Sequence, residues 1–415
     1  MDIPPYGSAL RALPSSAPGG VGDRIAAVGH AVGATDVVCQ LVDFEQLRLT
    51  PLPTSTAHLD HPTVEPVDGT PAGRAFSSGR VVSEERVGGV RVWAPILEGT
   101  DPTGVVAMTL PGPLDEAAEL TCREIGILAG LEVMAAARTT DLYNLIRRRK
   151  EMSLAASMQW DLLPPLRLAV PQVTSVGLLE PAYEVGGDCF DHNVDGLVLN
   201  VAMMDAMGHG VQSSLASSLA MGMYRHDRRE GRTLTAMHAN LDRVVAEHFG
   251  MESFVTGQLV RLELETGGMT WVNAGHPPPL LVRDGRVVSS LECRPSLPWG
   301  LGGELAELAS VPLQPGDSVL FYTDGVIEGR SPIDREEFGI DRLVDLMDNT
   351  PADGDPTVDM LRQLTGAVRD YQGDELFDDA TLLLVRWDGP VRPAEQGREG
   401  VGSRPDGRER PPSVR

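Results

Sequence analysis

Residues 197–210 read LVLNVAMMDAMGHG. From Leu197 to Met204 apolar side chains fall on both faces of a strand, the pattern of a strand buried in the middle of a sheet. The run ends on Asp205, and Gly208 and Gly210 bracket His209 in a tight turn leading to a helix that starts near Val211. A carboxylate at the end of a buried strand is costly unless something neutralises it. Fold and chemistry therefore have to be read together here.

The same arrangement recurs along the chain. Asp188 falls in EVGGDCFD after the strand-like VTSVGLLE, Asp324 ends SVLFYTD and is followed by Gly325, and Asp378 with Asp379 precedes the strand ATLLLVRW. FVTGQLVRLEL (254–264) and MTWVNAG (269–275) supply further strands, and RDGR (283–286) reads as a hairpin turn. Helices are expected at 211–228, at 233–248 and in two stretches near the end. Four acidic strand ends converge only if their strands lie side by side. Two unit charges 4 Å apart repel by about 4 kcal/mol at an effective dielectric near 20, so a converged set demands cations. Oxygen ligands without His or Cys favour Mg²⁺ or Mn²⁺ over zinc. Two such ions would neutralise four carboxylates and activate a water for in-line attack on phosphorus.

The chain has 415 residues and a formal charge of -24, from 35 basic and 59 acidic side chains. It is long enough for two globular domains, and its charge disfavours nucleic acid as a partner. Cys39, Cys122, Cys189 and Cys293 are widely separated, so neither a zinc site nor a disulfide framework is expected. The N-terminus lacks a secretory pattern and no run is long enough to span a membrane, so a cytoplasmic protein with no membrane partner is expected.

Residues 1–20 read as a flexible N-terminus, 21–137 as a small α+β domain, 138–163 as a helical linker, 164–387 as a second domain and 388–415 as a disordered tail. The first domain has strands expected at 36–44, 79–85, 90–97 and 103–110 between helices. The linker pattern predicts one continuous helix over 139–163, stopped by Pro164 and Pro165, with a broken apolar stripe through Leu142, Leu145, Met152, Ala156 and Leu163. That stripe either pairs two copies in a homodimer or packs on its own domains.

EVGGDCFD, DAMGHG, NAGHPPPLLV, LQPGDSVLFYTDGVIE, EEFG and DDATLLLV stand in the order of the metal-dependent PPM-type serine/threonine phosphatases. The chain most resembles their SpoIIE and RsbU-like branch, from about residue 152 to 387. The resemblance implies an α+β fold: a β-sandwich flanked by helices in α-β-β-α layers. It implies metal ligands at Asp188, Asp205, Asp324 and Asp378, with the carbonyl of Ala206 adding another, and Asp379 second to Asp378. Gly187 would let the backbone approach the metals. Asp191 is either a hydrogen-bond partner behind the ligands or a surface turn residue. His209 is either a proton shuttle or a structural histidine of the turn, and Asn273 and His276 organise a strand end. The implied cofactors are two Mn²⁺ or Mg²⁺ ions, and the implied substrate is a phosphoserine or phosphothreonine on an anti-anti-sigma (STAS-type) regulator. A catalytically silent module of the same fold is the rival reading. GTPAGRAFSSGRVV (69–82), with the strands around it, resembles a GAF-type sensory domain, which implies a small-molecule ligand there.

Overall fold

The computed structural model describes residues 17–55, 63–180, 183, 186–250, 252–303, 306–349, 356–373 and 378–391. Most of the expected flexible N-terminus and of the expected tail lies outside the described residues.

The N-terminal half is one antiparallel sheet with helices on both faces. Its strands are β1 (Thr35–Val42), β2 (Arg48–Pro51), β3 (Glu65–Pro66), β4 (Val82–Arg86), β5 (Gly89–Glu98) and β6 (Asp101–Leu110), in the order β3-β2-β1-β6-β5-β4. Period-two alternation divides β6 between two cores: Val106 and Met108 pack with helices Val21–Ala31 and Glu116–Ala137, whereas Val105 and Ala107 face helix Pro71–Ser78. That last helix begins where Thr70 accepts a hydrogen bond from Gly73 N and stops at Gly79, which is left-handed at φ 64°.

The linker is not the continuous helix that its pattern suggests. It forms two short helices, Leu142–Arg147 and Leu154–Leu162, with Arg148 extended between them. The break has a cause in the basic run. Arg147 Nε donates to Val42 O at 3.0 Å and its guanidinium lies over the Phe44 ring, Arg149 pairs with Glu45, and Lys150 covers the Tyr183 ring. Three side chains are thus drawn sideways into three different contacts. Ser153 then restarts the helix by accepting from Ala156 N at 3.0 Å. The apolar stripe is largely consumed within the chain: Leu142 joins the N-terminal core, Ala156 is fully buried, Leu163 packs on the C-terminal core, and Leu145 alone of the five is exposed. Of the two readings of that stripe, packing on its own domains is the one seen for Leu142, Ala156 and Leu163.

The C-terminal half contains two stacked antiparallel sheets. One holds β9 (Asp188–Asp195), β10 (Val198–Ala206), β11 (Val255–Glu263), β12 (Gly268–Ala274) and β15 (Ala309–Pro312), in the order β15-β12-β11-β10-β9. The other holds β7 (Arg167–Val170), β8 (Val173–Glu180), β13 (Leu280–Arg283), β14 (Arg286–Ser290), β16 (Ser318–Tyr322) and β17 (Ala380–Trp387), in the order β14-β13-β16-β17-β8-β7. Phe190, Met203, Val260, Trp271, Phe321 and Leu383 fill the space between them. Helices Val211–Arg229 and Leu234–Phe249 cover the first sheet, and Gly339–Asn349 and Pro356–Gln372 cover the second. These are the expected α-β-β-α layers. β10 pairs on both sides, with β9 and β11, as an apolar strand must. The RDGR turn forms with Asp284 at φ 50° and Gly285 at φ 74°.

Candidate metal centre

Strand alternation alone carries the carboxylates to one end of the space between the sheets. Met203 points into that space and Met204 toward the helices, so Asp205 returns to the inter-sheet side. On β9, Phe190 points inward and Asp188, two residues earlier, does the same. The two strands pair in a register that sets Asp205 directly opposite Asp188.

The second sheet supplies the hydroxyls that hold Asp188. Thr323 Oγ1 donates to Asp188 Oδ2 at 2.7 Å and Thr381 Oγ1 to the same oxygen at 2.6 Å. Asp379 is buried and fixes the backbone below: its Oδ2 accepts from Gly187 N at 2.7 Å, Asp188 N at 3.2 Å and Gln159 Nε2 at 3.3 Å. Its Oδ1 is buried without a hydrogen-bond partner among the described residues. Asp324 opens a one-turn helix beside the Asp378–Asp379 turn, where a Cβ on Gly325 would lie 2.0 Å from Asp379 O. Only glycine permits that approach. Asp378 is exposed, and its Oδ1 accepts from Asp379 N at 3.0 Å.

Burial and mutual repulsion act in one direction. Burial first, then the charges of Asp205 and Asp379, hold Asp188 well above the usual carboxylate range. Burial, followed by the charges of Asp324, Asp378 and Asp379, pushes Asp205 up to about 8. Asp379 rises to about 6, and Asp324 and Asp378 are also raised, each by burial first. Five carboxylates share one field, which a cation would stabilise. The donor set is all oxygen and includes the unpartnered Asp379 Oδ1, which fits Mg²⁺ or Mn²⁺. Among the described residues no three His, Cys, Asp or Glu side chains close on a single point.

The glycine segments on either side are clamped by the helix that follows β10. Ser213 Oγ and Ser214 Oγ donate to Gly186 O at 2.6 and 2.7 Å, and Ser217 Oγ donates to Gly187 O. A Cβ on Gly187 would stand 2.9 Å from Ala206 O, so glycine keeps that carbonyl beside the loop. Gly208 and Gly210, both at φ 85°, turn the chain into helix Val211–Arg229.

His209 is exposed in the turn between Gly208 and Gly210, on the side of Asp378. Asn273 and His276 organise the strand end as expected: Asn273 Nδ2 donates to His276 O and His276 N to Asn273 Oδ1, both at 2.8 Å. Burial drives the His276 ring down to about 3, so it is neutral.

Asp191 takes neither of the roles the sequence suggested. It is buried on the helix-facing side of β9, accepting from Arg225 at 3.0 Å and from Arg228, and so ties helix Val211–Arg229 to the sheet. The sequence reading missed Thr323, Thr381, Gln159 and the three serines. The threonines had a signal, since each lies in a quoted block at the parity of an inward residue. Gln159 had none, because its reach depends on how the broken linker packs.

Residues 195–388 match the family described as Stage II sporulation protein E (SpoIIE), a range that includes Asp205, Asp324 and Asp378 and begins after Asp188. Protein IcfG of Synechocystis sp. is 23% identical over 266 residues, covering 57% of this chain and 41% of that protein. Phosphoserine phosphatase RsbU of Bacillus subtilis is 22% identical over 244 residues, covering 57% of this chain and 70% of that protein. Among solved structures, the SiaA-PP2C domain of Pseudomonas aeruginosa is 22% identical, with a TM-score of 0.49 over 56% of this chain and 94% of that one. The chain thus spans less than half the length of its cyanobacterial relative. Its C-terminal part is similar to the SpoIIE family over residues 195–388 and to the phosphatase RsbU.

Proposed function

We propose that the chain is a metal-dependent phosphoprotein phosphatase that hydrolyses phosphoserine or phosphothreonine. The observation that carries this reading is the cross-strand pair of buried Asp188 and half-buried Asp205, both raised in pKa, in one field with Asp324, Asp378 and Asp379. Two Mg²⁺ or Mn²⁺ ions, when bound, supply the Lewis-acid charge that acidifies water and stabilises a phosphoryl group under in-line attack. Asp188, Asp205, Asp324, Asp378 and the Ala206 carbonyl would hold them.

The chain's own residues do the positioning. Thr323 and Thr381 occupy one oxygen of Asp188, which orients the other. Asp379 holds the Gly187–Asp188 backbone in place, and Gly208 and Gly210 set the N-terminus of helix Val211–Arg229 beside the site, where its dipole favours an anion. His209, exposed in the glycine turn, is read as the group that would give a proton to the leaving serine or threonine oxygen. No thiol competes as nucleophile: Cys189, next to Asp188, points to the helix side and burial pushes its thiol up. The substrate is read as a phosphorylated STAS-type regulator, by likeness to RsbU. The N-terminal half is read as a GAF-like regulatory domain, and the protein as cytoplasmic; among the described residues no helix is long and apolar enough to cross a membrane.

The test is hydrolysis of a phosphoserine peptide and of p-nitrophenyl phosphate by the full chain, with and without Mn²⁺. Metal-dependent turnover that disappears in Asp205→Asn is the expected result. No turnover of either substrate would favour a silent binding module of the same fold.

A further inference from the structure

Leu154, Met207, Val211 and Leu215 are apolar, and each is between 43% and 64% exposed. Single exposed apolar residues are ordinary on a protein surface, but these four are neighbours. Met207 stands two residues after Asp205, and its N donates to Phe254 O at 2.9 Å, which fixes it at the carboxylate end of the first sheet. Val211 opens helix Val211–Arg229, and Leu215 follows one turn later on the same side. Leu154 opens the second linker helix, which packs on that helix: Ser214 Oγ donates to Ala155 O at 3.4 Å. Three elements thus set an exposed apolar rim beside the array.

Solubility alone would put charge here. The chain has a formal charge of -24, yet helix Val211–Arg229 has no acidic residue in its first turn, where acids are favoured. Size and position decide what can cover the rim. Four side chains of this exposure fall well short of the roughly 800 Å² per partner that a stable protein–protein contact buries, so a second copy has too little to hold. They match a short extended segment. Val211 and Leu215 lie about 6 Å apart along the helix, and two or three residues of extended chain span about 7 to 10 Å. A phosphoryl group that reaches Asp205 brings the residues beside it over Met207 first. An acidic segment would be repelled by the carboxylates of the array, whereas an apolar one would not.

We propose, resting on the phosphatase reading, that Leu154, Met207, Val211 and Leu215 determine substrate specificity by docking apolar residues that flank the phosphoserine or phosphothreonine of a protein substrate. The array takes the phosphoryl group and the rim takes the chain beside it. A protein substrate is thereby told apart from a small phosphate ester, which reaches the array and leaves the rim empty. Leu154 makes the linker part of the same surface, so the docked segment touches the stretch that joins the two halves.

The experiment gives the full chain with Mn²⁺ three esters: a phosphoserine peptide with leucine at the two positions on each side, the same peptide with asparagine there, and p-nitrophenyl phosphate. The leucine peptide should have a kcat/KM at least about tenfold above the asparagine peptide, carried by KM. Leu215→Ser and Leu154→Ser should each lower kcat/KM for the leucine peptide by about fivefold through KM, and leave the other two esters within about twofold. Equal kcat/KM for the two peptides overturns the proposal, and metal-dependent turnover of p-nitrophenyl phosphate in that case leaves the phosphatase reading standing. A leucine preference that survives both serine variants overturns it as well, and should one variant fail to fold the other decides. A wild-type dimer in sedimentation that Leu215→Ser dissociates would give the rim to a second copy and also overturn it. If no ester is hydrolysed the phosphatase reading fails, and fluorescence anisotropy of the two labelled peptides then decides the rim: equal affinity overturns the docking surface.

Discussion

Strand β16 carries an aspartate at each end, and the two meet opposite fates. Asp317 precedes the strand, is buried, and receives two hydrogen bonds of 2.7 Å from Arg283. Burial would raise its pKa, but the Arg283 hydrogen bond, with help from Gln314 N, outweighs burial and the carboxyl ends below its ordinary value. Asp324 follows the strand, is raised by burial, and adds its charge to the field at Asp205 and Asp378. An acid that faces arginine is held in the scaffold, whereas an acid among acids is the kind that the proposed function assigns to a cation. Asp191, held by Arg225 and Arg228, belongs with Asp317, although it lies three residues from Asp188.

The largest expected effect is on turnover. Asp205→Asn should reduce Mn²⁺-dependent hydrolysis by about 10³-fold, a barrier increase near 4 kcal/mol, whereas Asp317→Asn should leave kcat per folded molecule unchanged. Equal losses in the two variants would erase the distinction between the ends of β16. Next in size is stability on loading. Mn²⁺ at 100 times its Kd should stabilise the wild type by about 2.7 kcal/mol in thermal unfolding, and Asp205→Asn should lose most of that gain. Asp317→Asn should melt lower than wild type and still gain from Mn²⁺.

A smaller effect separates the supports from the ligands. Thr381→Val removes one of the two hydroxyls on Asp188 Oδ2 and should weaken Mn²⁺ binding by about tenfold, with Thr381→Ser restoring most of it. An unaltered Mn²⁺ affinity in the valine variant would show that Asp188 needs no second-sheet support. The smallest effect is pH dependence without metal. Asp205 at about 8 retains its proton in the folded chain where the unfolded chain has lost it, so the native state binds more protons between the ordinary aspartate pKa and 8. Its contribution to stability is therefore full below the ordinary aspartate pKa and is lost as pH rises to 8. Asp317, with a lowered pKa, works in the opposite sense: its contribution is present above the ordinary value and fades as pH falls through the folded one. Unfolding of metal-free wild type and Asp205→Asn across pH 5 to 8 should show a shallower slope of the first kind in the variant, which keeps the raised Asp188 and Asp379; parallel curves would contradict it.

Much of the C-terminal fold was legible from VAMMDAMGHG and its counterparts, because burial on both faces, period-two alternation and glycine turns are local properties of the chain. The same locality made Asp188, Asp205, Asp324 and Asp378 visible as strand-end acids. The linker shows the limit. Its helical periodicity was real, but Arg147, Arg149 and Lys150 had partners at Val42, Phe44, Glu45 and Tyr183, which no window of the linker contains. Asp191 was ambiguous for the same reason, since its arginines arrive from a helix more than thirty residues later.

By itself the sequence determined which residues could be strands, where the chain must turn, and that carboxylates would sit at the ends of buried strands, since each follows from the solvation of a short segment. The tertiary structure decided which carboxylates would share a field and which would find a guanidinium. Charge interactions act through space and depend on partners brought from distant parts of the chain. It also decided that one threonine from each of β17 and the end of β16 would hold Asp188, because that contact exists only when the two sheets are stacked.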